Sequence, residues 1–120
     1  MNIFEQEKAK LTAEKADLEK KLEGETNLNI SSNVNHNLKV CEKELELLER
    51  QEKINSKREQ LKELRVEHRD DKALLATIDQ EVINLEAEQK QLDEYKATMA
   101  DKLKRVDLEA IYQVFSGKSM

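Results

Sequence analysis

Apolar side chains recur at helical spacing along most of the chain, with charged residues between them. Near the N-terminus, Phe4, Leu11 and Leu18 recur every seven residues, which places them on one face of a helix. Gly24 stands where a left-handed C-terminal cap is expected. The pattern predicts an N-terminal helix over residues 1–24. Its apolar stripe is narrow, so this helix needs a packing partner to be stable in water.

The charges disappear between residues 25 and 37, where five asparagines occur. Apart from Glu25, His36 is the only ionisable side chain in this segment. Asn and Ser side chains bond to nearby backbone groups and therefore favour turns over helix interiors. The composition predicts a connector over 25–37, with Asn35 or Asn37 as the N-cap of the next helix. A connector of this length is also a candidate recognition element.

From residue 38 to residue 116 no glycine or proline interrupts the sequence. A seven-residue repeat of apolar positions continues through this segment, as in a coiled coil. The pattern predicts one very long helix, whose first turns receive the N-terminal helix as an αα-hairpin. A chain of this size cannot cover such a helix alone, so we expect an oligomer, with a dimer favoured. The predicted oligomer seam is Leu47, Ile54, Leu61, Leu64, Leu75, Ile78, Val82, Leu85, Leu92, Met99, Leu103 and Val106.

The charges beside this seam change sign once along the predicted long helix. Three basic residues are followed, at seven-residue spacing, by three acidic ones: Arg58, Arg65 and Lys72, then Asp79, Glu86 and Asp93. In an antiparallel pair of chains Arg58 would meet Asp93 and Arg65 would meet Glu86. A parallel pair, in which Glu67 meets Lys72, is the alternative. Exposed pairs are worth only about 0.2–1 kcal/mol each, so the pattern favours the antiparallel dimer without deciding it.

The C-terminal end carries a separate apolar face. Its members follow one another at spacings of three, one and three residues, as on one side of a helix. They are Leu108, Ile111, Tyr112 and Phe115. This face is predicted either to pack within the oligomer or to dock a partner helix in a groove.

The composition of the chain argues against several functional classes of protein. The chain has 21 Lys and Arg against 26 Asp and Glu, a net charge of −5, whereas nucleic-acid-binding domains usually carry a basic stripe. Cys41 is the only cysteine, so a disulfide within the chain is excluded. No apolar run approaches the roughly 20 residues that span a membrane, and the N-terminus lacks the apolar core of a signal peptide. We therefore expect a cytoplasmic protein without membrane contact.

The sequence shows no phosphate-binding loop, metal-ligand motif or nucleophile motif, so neither enzymatic activity nor a cofactor is expected. The function predicted is that of an all-α scaffold or adaptor that contacts itself or another helical protein. One alternative is a chaperone-like or inhibitory protein that grips a client with its helix ends and the Asn-rich segment. A weaker alternative is a nucleic-acid-associated coiled coil. Its candidate basic residues are Lys53, Lys57, Arg58, Lys62, Arg65, Arg69 and Lys72. They alternate with Glu at helical spacing, which is typical of a solvated face.

Overall fold

The computed structural model describes residues 2–115, and every regular element in that range is an α-helix. The helices are α1 (Ile3–Glu23), α2 (Leu28–Glu67), α3 (Lys72–Met99) and α4 (Leu108–Phe115). The prediction of an all-α fold is confirmed. Residue 116, the last of the predicted long helix, lies outside the described residues.

An Asn or Asp side chain caps the start of each helix. The four capping residues are Asn2, Asn27, Asp71 and Asp107. At α2, Asn27 Oδ1 accepts hydrogen bonds from the backbone N–H groups of Asn29, at 2.9 Å, and Ile30, at 3.2 Å. These bonds satisfy N–H groups that have no partner inside the helix. The N-cap is therefore Asn27, and not Asn35 or Asn37 as the sequence predicted.

The predicted Asn-rich connector over 25–37 is corrected by the structure, because α2 already begins at Leu28 and only residues 24–27 link it to α1. The reason is burial. Ile30 and Val34 form a buried cluster with Leu18 of α1. Burying such side chains contributes about 1.5–3 kcal/mol each, which outweighs the weak helix propensity of Asn and Ser, a fraction of a kcal/mol per residue.

The single long helix predicted over 38–116 is also corrected. α2 ends at Glu67, a turn follows, and α3 begins at Lys72. The sequence from Glu67 to Lys72 contains only polar and charged residues, so no apolar contact holds the helix together there. Asp71 closes the turn, since its N–H donates to the carbonyl oxygen of His68 at 3.0 Å and its Oδ1 accepts from the N–H of Leu74 at 3.1 Å. A second interruption, over residues 100–107, precedes α4.

The described chain forms two compact units. The first contains residues up to 46 and those from 100 onwards, and the second contains residues 47–99. In the second unit, α3 returns antiparallel to the last part of α2 and forms a helical hairpin, which we call the α2/α3 hairpin. In the first unit, α1, the start of α2 and α4 share one core: Leu18, Ile30, Val34 and Leu38, with Leu22, Leu108, Ile111 and Tyr112 packed against it.

The cap at Asp71 gives a prediction about the hairpin turn. Replacing Asp71 by Ala removes the acceptor for Leu74 N–H and is expected to lower the free energy of unfolding by about 1 kcal/mol. The matched control is Asp70→Ala, one residue earlier in the same exposed turn, with a small expected effect. Urea denaturation followed by circular dichroism measures both. Equal losses in the two variants would show that the cap is not formed in solution.

Candidate interaction surface

The predicted oligomer seam lies largely inside this chain. Six of its residues are buried: Leu47, Ile54, Leu61, Ile78, Leu85 and Leu92. Five more are half-buried: Leu75, Val82, Met99, Leu103 and Val106. Leu64 is 37% exposed. In the α2/α3 hairpin the apolar repeat of α2 and that of α3 lie on facing sides of one chain, so the repeat is used first for packing within the chain.

One edge of the hairpin is closed by side-chain pairs between α2 and α3, and we call it the paired edge. Arg58 Nη2 lies 3.4 Å from Glu86 Oε1, and Arg65 Nη2 lies 2.5 Å from Asp79 Oδ1. The sign change seen in the sequence is therefore satisfied within the chain. The predicted partners, Asp93 for Arg58 and Glu86 for Arg65, are replaced by residues one heptad earlier. These pairs are largely exposed, so they fix the register more than they add stability.

Two glutamines extend the paired edge. Gln51 Nε2 donates to Gln89 Oε1 at 2.7 Å, and Gln89 Nε2 donates to Gln51 Oε1 at 2.8 Å. Each of the two amides therefore supplies a donor and an acceptor to the other. The reciprocal amide pair joins the two helices at this height. Gln89 lies one helical turn before residue 93, which the two ion pairs place level with Gln51.

The other edge of the hairpin is open, and we call the depression along it the open groove. Its central part has a volume of about 380 Å³, and it continues toward the start of the hairpin as a second depression of about 710 Å³. The floor is formed by Leu61 and Leu85, both buried, and by Leu64, which is 37% exposed. An apolar floor between polar rims is the usual form of a groove that receives an amphipathic helix.

The two rims of the open groove carry opposite charges. On the α2 side the charged lining residues are Arg50, Lys53 and Lys57 with one acid, Glu52, so this rim is basic on balance. On the α3 side the rim includes Glu81 and Glu88. The helical spacing places these residues on the side of their helices opposite to the paired edge. The sequence indicated the sign change of the paired edge, and the rim residues show a matching change from mainly basic on α2 to acidic on α3.

Near one end of the open groove, Arg50 lies over the ring of Tyr95. The guanidinium carbon is 5.7 Å from the ring centroid, within the range of a cation–π contact. Arg50 also lines the groove. The sequence contained no local signal for this pairing, since Arg50 and Tyr95 belong to different helices.

The C-terminal apolar face is used inside the first unit. Leu108, Ile111 and Tyr112 pack against the core cluster formed by α1 and α2, whereas Phe115 is 41% exposed. Three of the four residues considered for partner docking therefore already have intrachain packing partners. Phe115 keeps an accessible ring at the end of α4.

A polar clamp holds the non-helical segment before α4, and Asn37 is its centre. This side chain is 4% exposed. Its Nδ2 donates to the carbonyl oxygen of Val106 at 2.9 Å, and its Oδ1 accepts from the N–H of Val106 at 2.8 Å. His36 Nε2 lies 2.9 Å from the carbonyl oxygen of Lys104. The two side chains from the Asn-rich stretch therefore bind backbone groups far away in the sequence.

Arg105 joins this clamp to α1 and α2. Its Nε lies 2.5 Å from Glu14 Oε2 and its Nη2 lies 2.8 Å from Glu14 Oε1, a bidentate pair. The same Nη2 also donates to Glu44. Hydrogen bonds to the two carboxylates, first Glu14 and then Glu44, raise the pKa of Arg105 above its ordinary value. The planar guanidinium suits such a bridge better than an ammonium group does.

Cys41 lies beside this bridge and is fully buried. Its Sγ donates a hydrogen bond to the carbonyl oxygen of Leu11 at 3.1 Å. Burial, and after it the negative charge of Glu14, raises the pKa of the Cys41 thiol. A protonated and enclosed thiol is a poor nucleophile, so the structure assigns Cys41 a packing role.

Cys41 also gives a test of the native packing. At pH 8 the native thiol is expected to react with a disulfide reagent at least about 100-fold more slowly than in denaturant, because only the thiolate reacts and burial blocks it. Because the pKa of the Cys41 thiol is raised on folding, the thiol contributes to stability in full below its unfolded-state pKa of about 8.5. That contribution is lost as the pH rises through the pKa of the thiol in the folded state. Fast labelling of the native protein would contradict the buried position.

The described residues contain no group of three or more His, Cys, Asp or Glu side chains placed to hold a metal ion. Within the same range, no helix combines the length and the apolar character needed to cross a membrane. No protein-family model, curated protein or solved structure matches this chain.

Proposed function

We propose that this protein is a non-enzymatic assembly protein, of the scaffold or adaptor type, that binds helical segments of protein chains in the open groove of the α2/α3 hairpin. The observation that supports the proposal is the difference between the two edges. The paired edge is closed by Arg58–Glu86 and Arg65–Asp79. The opposite edge leaves an apolar floor open between charged rims.

The hairpin itself explains why a third helix would be stabilising. Two helices cover only one face of each other, and stable helical domains normally bury their apolar stripes among three or four helices. Leu64 remains 37% exposed in the groove, and an incoming apolar side chain would cover it. A bound helix would present anchors at i, i+3 and i+7 to the floor and polar residues to the rims.

The two alternative functions receive less support. The chaperone-like function would need the Asn-rich segment to be a loop that binds a client. In the structure this segment is mostly helical and packs on α1. Nucleic-acid binding would depend on the seven basic residues named above. Two of them, Arg58 and Arg65, pair with acidic residues of α3. A phosphate backbone would have to compete with those carboxylates.

An environment-sensitive dye in the groove tests the proposed function. With Cys41 replaced by Ser, a dye is attached to Cys introduced at Gln60, which lines the groove. The control carries the dye at Lys90, an exposed position of α3 that does not line it. The probe is a synthetic Leu-rich amphipathic helical peptide, added to nanomolar protein. A blue shift of the emission is expected for the dye at 60 and none for the dye at 90. Unchanged emission at both positions, or equal shifts, would refute the proposal.

A further inference from the structure

We propose that the occupant of the open groove is the groove of a second copy of this chain, the two hairpins being related by a twofold axis parallel to their helices. This inference rests on the proposed function and goes beyond it by naming the partner and its orientation. The product is a four-helix arrangement in which α2 of each copy lies beside α3 of the other.

The rim charges make the groove self-complementary. One chain supplies both a basic rim, with Lys53 and Lys57, and an acidic rim, with Glu81 and Glu88. A surface that recognises a copy of itself must present both halves of each contact. A partner carrying only one sign of charge would match one rim and be repelled by the other.

The register places Lys57 and Glu88 at nearly the same height, whereas Lys53 is level with residue 91 and Glu81 with residue 63. The pair Arg58–Glu86 sets residue 58 of α2 opposite residue 86 of α3. Lys57 is therefore level with residues 87 and 88, and Leu64 is level with residues 80 and 81. A rotation about an axis parallel to the helices keeps these heights, so Lys57 of one copy approaches Glu88 of the other. Symmetry then repeats the contact on the opposite side.

The rim charges also exclude the other twofold arrangement. If the axis ran across the groove, perpendicular to the helices, α2 would lie on α2 of the second copy and α3 on α3. The basic rims would then face each other, and so would the acidic rims. Like charges brought together in this way are repulsive and select against a wrong mode of association. The parallel axis is the one that brings basic rim to acidic rim.

The apolar floor supplies the attraction that the charges orient. In the proposed arrangement the two grooves face each other, so Leu64, 37% exposed, is covered by the other copy. Each helix is antiparallel to both of its neighbours, as in many four-helix bundles. Burial of apolar surface provides most of the stability of such an interface, while the charges on the rims determine the relative orientation of the two copies.

Rim reversal tests the inference. The variants are Lys53→Glu with Lys57→Glu, Glu81→Lys with Glu88→Lys, and the swap of all four. Each pairwise reversal makes both rims alike in sign, so the dimer dissociation constant measured by sedimentation is expected to rise about tenfold or more. The swap restores opposite rims and is expected to return the constant to within about threefold of the wild-type value. Circular dichroism shows whether each variant keeps its helices.

The matched control is Lys62→Glu with Lys90→Glu, which changes the net charge as much as the basic-rim reversal does, at exposed positions outside the groove. It is expected to dimerise like the wild type. A wild-type protein that stays monomeric at all accessible concentrations would overturn the inference, as would a dimer that is insensitive to rim reversal. If the dye at position 60 responds to the amphipathic peptide in either case, the proposed function survives and only the second copy is excluded.

Discussion

Replacing Ile78 by Ala is expected to lower the free energy of unfolding by about 2–5 kcal/mol. Ile78 is 1% exposed and lies on the side of α3 that faces α2, so the substitution leaves a cavity inside the hairpin. Ile83, on the same helix, is 61% exposed. The same substitution there is expected to cost less than about 0.5 kcal/mol. Urea denaturation measures the free energy of unfolding of both variants, which carry the same Ile→Ala change at a buried and at an exposed position.

The two outcomes have different meanings for the fold. A large difference between Ile78→Ala and Ile83→Ala places the core of residues 47–99 between α2 and α3. Similar, small effects at both positions would contradict the hairpin, because a helix that packs on nothing has no favoured face.

Replacing Asn37 by Leu is expected to release the segment before α4 from the clamp. The substitution keeps the side-chain volume nearly unchanged but leaves the N–H and carbonyl groups of Val106 without their partners. Each buried polar group left unpaired costs about 1–3 kcal/mol. We therefore expect a loss of stability in that range or above, and faster trypsin cleavage after Lys104 and Arg105.

The control for the clamp is Asn35→Leu, which makes the same chemical change at an exposed position of α2. Its trypsin digestion is expected to follow that of the wild type. If both variants are cleaved at the same rate as the wild type, Asn37 does not hold the segment in solution, and the described contacts at Val106 are not maintained.

The helical class of the fold could be predicted from the sequence because it depends on local features. Leu, Glu, Lys and Ala at regular spacing, without proline, favour helices wherever the chain lies. The heptad repeat also indicated which residues are buried, since Ile54, Ile78 and Leu92 are all below 10% exposure. Periodicity shows which face of a helix is covered, but not whether the covering helix belongs to the same chain.

The charge pattern likewise does not show whether the neighbouring helix belongs to the same chain. Basic residues followed by acidic ones at seven-residue spacing favour an antiparallel neighbour, and a second chain or a returning segment of the same chain can supply it equally well. The polar stretch around His68 and Asp71 decides between them, because it allows a tight turn. The sequence contained this signal, since residues 67–72 are all polar or charged, but the predicted long helix continued through it.

The contacts of the first unit could not be predicted, for a different reason. Asn37 and Val106 are 69 residues apart, and Arg105 lies 91 residues from Glu14. No local spacing joins such residues. The helix over the Asn-rich stretch likewise depends on Leu18, which belongs to another helix. Propensity alone predicts a loop there, and burial of Ile30 and Val34 reverses the outcome.

The α2/α3 hairpin is tested most directly by crosslinking across the paired edge, because the open groove exists only if the opposite edge is closed within one chain. With Cys41 replaced by Ser, Cys is introduced at Arg58 and Glu86 and treated with a short bis-maleimide. We expect a crosslinked monomer, formed with a yield that does not fall on dilution. The pair at Arg58 and Asp93 is predicted to react poorly. A covalent dimer from the pair at 58 and 93, with no crosslinked monomer from the pair at 58 and 86, would contradict the hairpin and the groove together.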